Sequence, residues 1–565
     1  MAKSIEIIFP KLNHFWLDSG LLGLVVMLRE VESDVEKIVN ETGLTMKGTE
    51  TAIQNLLEKA YELLIERYYN LSTKKQRGDT TSYNFYYDSK NDKFVYFPKK
   101  KSVGIAELIF NKAPRPIGSS IKWEKEEKRE ILIDGKPVKR NRGILPSSHA
   151  HLQNRMDKFL DENGLDVTTS GLLVDGPNAV CPKVTIAVKS TAKVKGHCYL
   201  CGENSPSLED VGQTIFPFIT GSSGVLNFFP FCSTPEKVCW KCAFLGKFVP
   251  VNGFYFSQGD NLFAFFPYSI SLEKMLEVYA PLQDAKYDDP NLFKNFQHPL
   301  GFENYADAFF QKPFEVSFAF LYTLYKKVLL HQKSDEDEGV LNWEEMCNLT
   351  ISKAPLEFIV LHAESKGQTS MGKMVWPFRD SVYFFRLIKE LEEAKINIKE
   401  VMRLLIDFSQ KNENRTLIRN RVCERILKKR SILDLIEFHV FNTEQTYIKP
   451  LFDFAIKYDP IVRKEVGYMT IEEQDAAVTL GKRIGMVVGK DGKKGDLFAL
   501  RKARRKADFL NELNRLQFKC NLTVPPDVYE GKLTDSNFVE FKQFCMIAAL
   551  NSFHAATQSE KGAKS

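Results

Sequence analysis

A chain of 565 residues with 44% hydrophobic and 12% aromatic side chains carries enough apolar surface for about three packed domains, which excludes a disordered chain. A net charge of +6 on that length excludes binding through a uniform cationic field, so a polyanion would be held by local patches. The opening Met1-Ala-Lys-Ser-Ile-Glu-Ile-Ile-Phe-Pro10 lacks the apolar core and cleavage site of a secretion signal, and the run Gly20 to Leu28 is too short for a bilayer, so a cytoplasmic protein without a membrane partner is expected.

In chain order, Asp18-Ser19 is expected to cap a helix running through Gly20 to Leu28, and Thr51 to Leu71 repeats apolar residues at helical spacing. Tyr83 to Tyr87 and Phe94 to Phe97 flank a turn at Asp88 to Asp92, and Glu130 to Ile133 and Pro137 to Lys139 flank Asp134-Gly135, both hairpin patterns. Lys183 to Lys189 reads as a strand, and Phe254 to Phe256 with Leu262 to Phe266 reads as a further hairpin. From Pro313 the period turns helical, broken by the acidic connector Ser334 to Gly339. Helices are expected over Asp380 to Ile396, Ile398 to Gln410, Ile471 to Val488 and Gly495 to Phe518, with a frayed tail from Ser559.

The fold class expected is α+β, with four regions: an amino-terminal α+β domain over 1–190, a zinc-binding lobe with flanking strands over 191–270, a mainly helical region over 271–468, and a helical bundle over 469–565. Two cysteine knuckles define the second region, Cys198-Tyr-Leu-Cys201 and Cys239-Trp-Lys-Cys242. Two thiolates two residues apart bite one ion from a tight turn, and two such turns complete a closed four-sulfur shell with no position for a reactive water. Structural zinc is the expected cofactor, with a disulfide or reduced, metal-free thiols as the alternatives. His197 and Cys232 lie close enough in sequence to replace a ligand. The other cysteines, Cys181, Cys232, Cys347, Cys423, Cys520 and Cys545, are scattered, as buried thiols of a reducing compartment are.

The catalytic patterns that the chain contains fail on order or spacing. His362-Ala-Glu364 has the form of a zinc deaminase's ligand and acid, but it follows both knuckles by more than a hundred residues, whereas in those enzymes it precedes a single Pro-Cys-x-x-Cys. Gly489-Lys-Asp-Gly-Lys-Lys-Gly495 lacks the spacing and hydroxyl of a phosphate loop. It reads as a basic turn, with Lys482, Arg483, Lys493 and Lys494 before Arg501, Arg504 and Arg505. On one continuous helix the last three share a face, a stripe suited to a phosphate backbone as well as to plain solvation. Further nucleic-acid candidates, expected in turns and loops, are Lys112, Arg115, Lys139, Arg140, Asn141 and Arg142, with other basic turns at Lys74 to Arg77 and Lys99 to Lys101. Tyr83 to Tyr87 and Phe228 to Phe231 carry rings that stack either on unpaired bases or in a core.

The knuckles, together with Phe15-Trp16-Leu17-Asp18-Ser19-Gly20-Leu-Leu-Gly23, resemble the large subunit of type I-B CRISPR interference complexes (Cascade), in the branch named for its CXXC-CXXC pair. The amino-terminal block is similar to that family's Trp-x-x-x-Gly-x-x-Gly opening, and the regional order is similar over essentially the whole chain. The resemblance implies a noncatalytic subunit of a guide-RNA complex with backbone and small subunits. Such a subunit recognises the protospacer-adjacent motif on target duplex DNA, aids strand separation and recruits a helicase-nuclease. It also implies that 469–565 is small-subunit-like and open to separate translation from an internal start, for which Met469 is placed better than Met486. A stand-alone zinc-containing nucleic-acid-modifying enzyme is the alternative.

Overall fold

The computed structural model describes residues 4–64, 85–96, 120–133, 136–167, 171–175, 185–188, 193–210, 237–258, 260–276, 310–334, 357–366, 369–379, 381–443, 445–463, 469–491 and 493–563. The chain divides into two compact units, Met1–Lys294 with Asn348–Arg379, and Asn295–Cys347 with Asp380–Ser565. All strands among the described residues belong to the first unit and the second is helical, so the α+β class holds.

In the first unit, β1 (Ser4–Pro10), β2 (Glu36–Asn40) and β3 (Gly43–Thr49) form an antiparallel sheet in the order β1-β3-β2. Between β1 and β2 runs α1 (Phe15–Arg29), buried along most of its length, as a helix apolar on nearly every face must be. It starts earlier than the sequence suggests. His14 is the cap, its Nδ1 accepting from Leu17 N at 3.4 Å. Asp18 lies within the first turn, where it accepts from Leu12 N at 2.9 Å and pairs with Lys11 at 3.1 Å, both side chains almost wholly buried. Helix α2 (Glu50–Leu64) follows β3.

A small module comes next. Strands β4 (Phe85–Asp88) and β5 (Lys93–Tyr96) pair as expected, β6 (Ser120–Lys122) pairs with the later β9 (Gly171–Leu173), and β7 (Lys125–Ile133) with β8 (Lys136–Ile144) makes a hairpin longer than the sequence signals. Helix α3 (Gln153–Glu162) closes it over a core of Phe85, Leu145, Leu152, Met156, Leu160, Val167 and Leu172. Phe85 is therefore core and not a stacking platform. Residues 185–188 join no strand ladder, against expectation.

The short pairs β10 (Gly196–His197) with β11 (Asn204–Ser205), and β12 (Leu208–Glu209) with β13 (Val238–Cys239), frame the knuckles. The second pair delivers the chain into α4 (Trp240–Asn252). Then β14 (Phe254–Gln258) and β15 (Asn261–Tyr268) pair, and β16 (Glu357–Lys366) and β17 (Thr369–Phe378) return from far along the chain to complete a four-stranded antiparallel sheet in the order β14-β15-β16-β17. This hairpin lies in a stretch expected to be helical.

The second unit begins with α5 (Pro313–Ser334). Its first-turn Glu315 accepts from Gln311 N and Lys312 N at 2.9 Å and pairs with the buried Arg419 at 2.8 Å. Helices α6 (Ser381–Glu393), α7 (Ile398–Leu404), α8 (Leu417–Leu427), α9 (Leu433–Asn442) and α10 (Lys449–Arg463) follow. The last part is α11 (Ile471–Asp491), α12 (Lys494–Lys502), α13 (Lys506–Cys520) and α14 (Phe538–Ala563).

Two backbones meet directly where α11 packs on α14. A Cβ at Gly481 would lie 2.2 Å from the Cys545 carbonyl oxygen, and one at Gly485 2.1 Å from that of Ala549. No helix of the described residues is long and apolar enough to cross a membrane.

Candidate metal centre and nucleic-acid interface

The first knuckle is a hairpin end. Cys198 N donates to Glu203 O at 2.8 Å and Gly202 N to Cys198 O at 3.0 Å, while Gly202 takes a positive φ of 73°, the left-handed turn that glycine permits. The second knuckle is a strand-to-helix corner in which Cys239 caps α4, its sulfur accepting from Cys242 N at 3.5 Å. A cross-stitch from Tyr199 N to Lys237 O at 3.1 Å joins the two turns.

The turns bring the four sulfurs within 4.8 Å of one another, with Cys198–Cys242 and Cys201–Cys239 each at 3.7 Å. Four sulfurs about 2.3 Å from a tetrahedral ion stand about 3.8 Å apart, so the set fits an ion at its centre. A disulfide, at about 2.05 Å, does not fit these separations. Cys198, Cys239 and Cys242 are buried and Cys201 is partly exposed. The backbone N–H of Cys242 donates to the Cys239 sulfur at 3.5 Å, and the N–H groups of Cys201 and Glu203 favour the thiolates of Cys198 and Cys201.

Crowding sets the four against each other. Contacts with Cys201, Cys239 and Cys242 hold the Cys198 thiol low, while contacts with Cys198, Cys201 and Cys239 push Cys242 up. A bound dication removes that conflict by favouring all four thiolates. His197 is exposed and contributes no atom to this group, and Cys232 lies outside the described residues.

The centre is attached to the Trp16-to-Gly23 block by α4. A Cβ at Gly20 would sit 2.0 Å from the Leu245 carbonyl oxygen, and one at Gly23 2.3 Å from that of Phe248. Trp16 faces the other way, its ring 5.6 Å from Phe266 of β15. The block's glycines thus receive the helix that the second knuckle begins, a relation that only spatial proximity reveals.

His362 and Glu364 lie on β16. His362 stacks on Phe263 at 4.5 Å and its Nε2 lies 2.9 Å from Asn261 Oδ1, while Glu364 pairs with Lys373 at 2.7 Å. Burial lowers the His362 pKa to about 4. The tripeptide is accounted for by sheet packing.

The basic candidates separate by their partners. Lys112 and Arg115 lie outside the described residues, as do Phe228 to Phe231. Lys139, Arg140, Asn141 and Arg142 lie on strand β8 rather than in a loop, because the hairpin continues to Ile144. Arg142 Nε pairs with Asp157 at 3.0 Å, Arg140 lies 3.5 Å from Asp166, and the unforeseen Arg129 pairs with Asp161 at 3.1 Å. These arginines fasten the hairpin to α3 and the turn after it, while Lys139 is exposed.

The stripe is also revised. The helix expected over Gly495 to Phe518 breaks at Ala503 to Arg505, where Asp508 accepts from Arg505 N at 3.2 Å and starts α13. Lys542 Nζ satisfies the freed Ala503 carbonyl at 2.9 Å. Arg501 turns inward, 3.0 Å from the buried Glu437 and 4.9 Å over the Phe441 ring. Arg504 and Arg505 remain exposed at the break beside Lys502. Lys490 and Lys493 are exposed at the other end of α12, with Lys494 half-buried, and Lys482 and Arg483 are exposed on α11. A scan of protein-family models returns no match for this chain, and neither does a search of curated proteins.

Proposed function

We propose that this chain is the noncatalytic large subunit of a type I-B CRISPR RNA-guided surveillance complex and that its four-cysteine centre holds one structural zinc. The observation that carries the reading is the direct packing of the Trp16-to-Gly23 helix on the helix begun by Cys239 and Cys242. The two sequence blocks behind the family resemblance are thereby parts of one substructure. Zinc is favoured by the four-thiolate set, which is closed, soft and fit for a tetrahedral ion. Such a shell leaves no site for an activated water, in keeping with a subunit that performs no reaction. Zinc there would supply only cross-linking of the two turns.

In this role base pairing with the guide supplies most discrimination, and the protein adds a few base contacts and phosphate clamps. Among the described residues, Lys490, Lys493, Lys502, Arg504 and Arg505 are the exposed cations best suited to phosphates, flanking α12 at both ends. Base reading on the duplex, strand separation and recruitment of a helicase-nuclease belong to the same proposal.

The deciding experiment is native purification. The chain should emerge from its host in a large particle with short repeat-derived RNA and one zinc per copy. A free monomer without RNA, or one carrying its own nucleic-acid-modifying activity, would reject the assignment.

A further inference from the structure

We infer that metal loading at Cys198, Cys201, Cys239 and Cys242 seats the amino-terminal helix α1, so that ion occupancy and α1 docking are energetically coupled. The inference rests on the metal reading of the four cysteines and is independent of the CRISPR assignment.

The coupling follows from what α4 touches at its two faces and its start. Its cap and first turn are ligands, Cys239 and Cys242, so the ion fixes the position of α4 against the first knuckle. One and two turns later, the carbonyls of Leu245 and Phe248 meet Gly20 and Gly23 so closely that neither glycine has room for a methyl group. A contact between backbones has no side chain that can change rotamer to follow a moving partner. A shift of α4 of the order of an ångström therefore breaks it.

The ligand turn also grips the strand before α1. Lys241, between the two ligands, donates to Ile8 O at 3.1 Å and pairs with Glu203, and Trp240 meets the Phe9 ring edge-on at 5.8 Å. On its far side α1 is held by Phe266 against Phe15 and Trp16, and by Lys11, which links Asp18 at 3.1 Å to Tyr268 at 3.3 Å. Helix α1 is thus packed between the helix that carries two of the ligands and the four-stranded sheet, which α4 also joins directly through β14. Linkage makes the effect reciprocal: whatever hinders α1 docking must weaken ion binding by the same factor.

The test uses the full-length protein under reducing conditions, stripped with a chelator and reloaded with zinc. Amide exchange should show residues 15–29 losing protection together with 196–205 and 239–252, and regaining it with one equivalent of zinc, while 471–491 stays unchanged. If 15–29 stays protected while the cysteine segments open, the coupling is overturned. In the reciprocal arm, Gly23→Ala should weaken zinc binding, read by competition with a chromophoric chelator, by between about five- and 150-fold. Gly485→Ala, in the other unit, should leave it unchanged. Equal zinc affinity for Gly23→Ala and the natural chain would also overturn the coupling, and should that variant not accumulate, exchange on the natural chain decides. A protein that takes up no zinc overturns the metal reading itself, a result distinct from uptake that leaves α1 unmoved.

Discussion

Glu437 on α9 is a nearly buried carboxylate whose pKa is raised chiefly by burial and pulled back by the Arg501 guanidinium 3.0 Å away. Removing Arg501 takes away the cation that is hydrogen-bonded to that carboxylate and leaves it only the more remote field of Lys542, a change that costs about 1–3 kcal/mol. Arg501→Ala should therefore lower the melting temperature while the salt dependence of the proposed nucleic-acid binding stays as it was. The paired change Arg504→Glu with Arg505→Glu should do the reverse, sparing stability and reducing the slope of log affinity against log salt by about 0.9 per lost phosphate contact. Both are read from thermal melts and salt titrations, and a slope that moves with Arg501 but not with Arg504 and Arg505 would refute the revised surface. The spacing of the three arginines was legible in the sequence. The break between them was not, because Asp508 capping and the Lys542 bond across from α14 create it, and Lys542 is distant in sequence. His362 gives a pH prediction of the same local kind. Its folded pKa, near 4, lies below the ordinary 6.5, so its neutral form contributes stability that is complete above pH 6.5 and lost as pH falls toward 4. With allowance for solvent reach, the loss is about 1–2 kcal/mol. His362→Gln should flatten that part of the acid-unfolding curve, and an unchanged curve would show that other groups carry it.

Helix contacts made through glycine behave differently from contacts made through side chains, because an added methyl group meets a carbonyl that cannot turn aside. Gly485 touches the Ala549 carbonyl oxygen, whereas Gly495, on α12, has nothing within 4 Å of a built Cβ. Gly485→Ala should thus destabilise by about 1–3 kcal/mol through overpacking, while Gly495→Ala should stabilise by about 0.5–1 kcal/mol through reduced unfolded-chain entropy. Denaturant midpoints of the two variants, shifted in opposite directions, are the expected result; a shared direction would mean that helix propensity and not close approach governs α11. The sequence does contain this contact as Gly481-x-x-x-Gly485-x-x-x-Gly489, but a reading for charge sees there only Lys482, Arg483 and Lys490. The knuckles were legible because their chemistry is local: two short turns with two ligands each. The β16–β17 hairpin was not, since its apolar run from Phe358 to Leu361 fits a buried helix segment as well as a strand. What makes it a strand is pairing with β15, almost a hundred residues earlier in the chain.

At the scale of the whole chain, the carboxy-terminal helices raise the question of whether one gene makes one product. Met469 stands two residues ahead of α11, and the glycine-mediated pair of α11 with α14 lies wholly after it. A product begun there would retain that pair together with α12 and α13. It would lose contacts that hold these helices in the second unit, among them Glu437 on Arg501, the bond from Gln474 Nε2 to Ile456 O at 3.0 Å, and the proximity of Glu540 to Arg463 at 3.9 Å. A start at Met486 would instead cut through α11 and discard Gly481 and Gly485, leaving α14 only the Gly489 end of the surface it packs on. Expression of the intact gene should therefore give a short product beginning at Met469 beside the full chain. Met469→Leu should abolish it and Met486→Leu should leave it. Deprived of its α9 and α10 contacts, the short product should melt below the full chain and regain stability when bound in the proposed complex, since docking stabilises the folded form alone. Amino-terminal sequencing of small products from the native gene checks the start, and the absence of any product beginning at Met469 would remove the proposal while leaving the large-subunit assignment to stand on its own test.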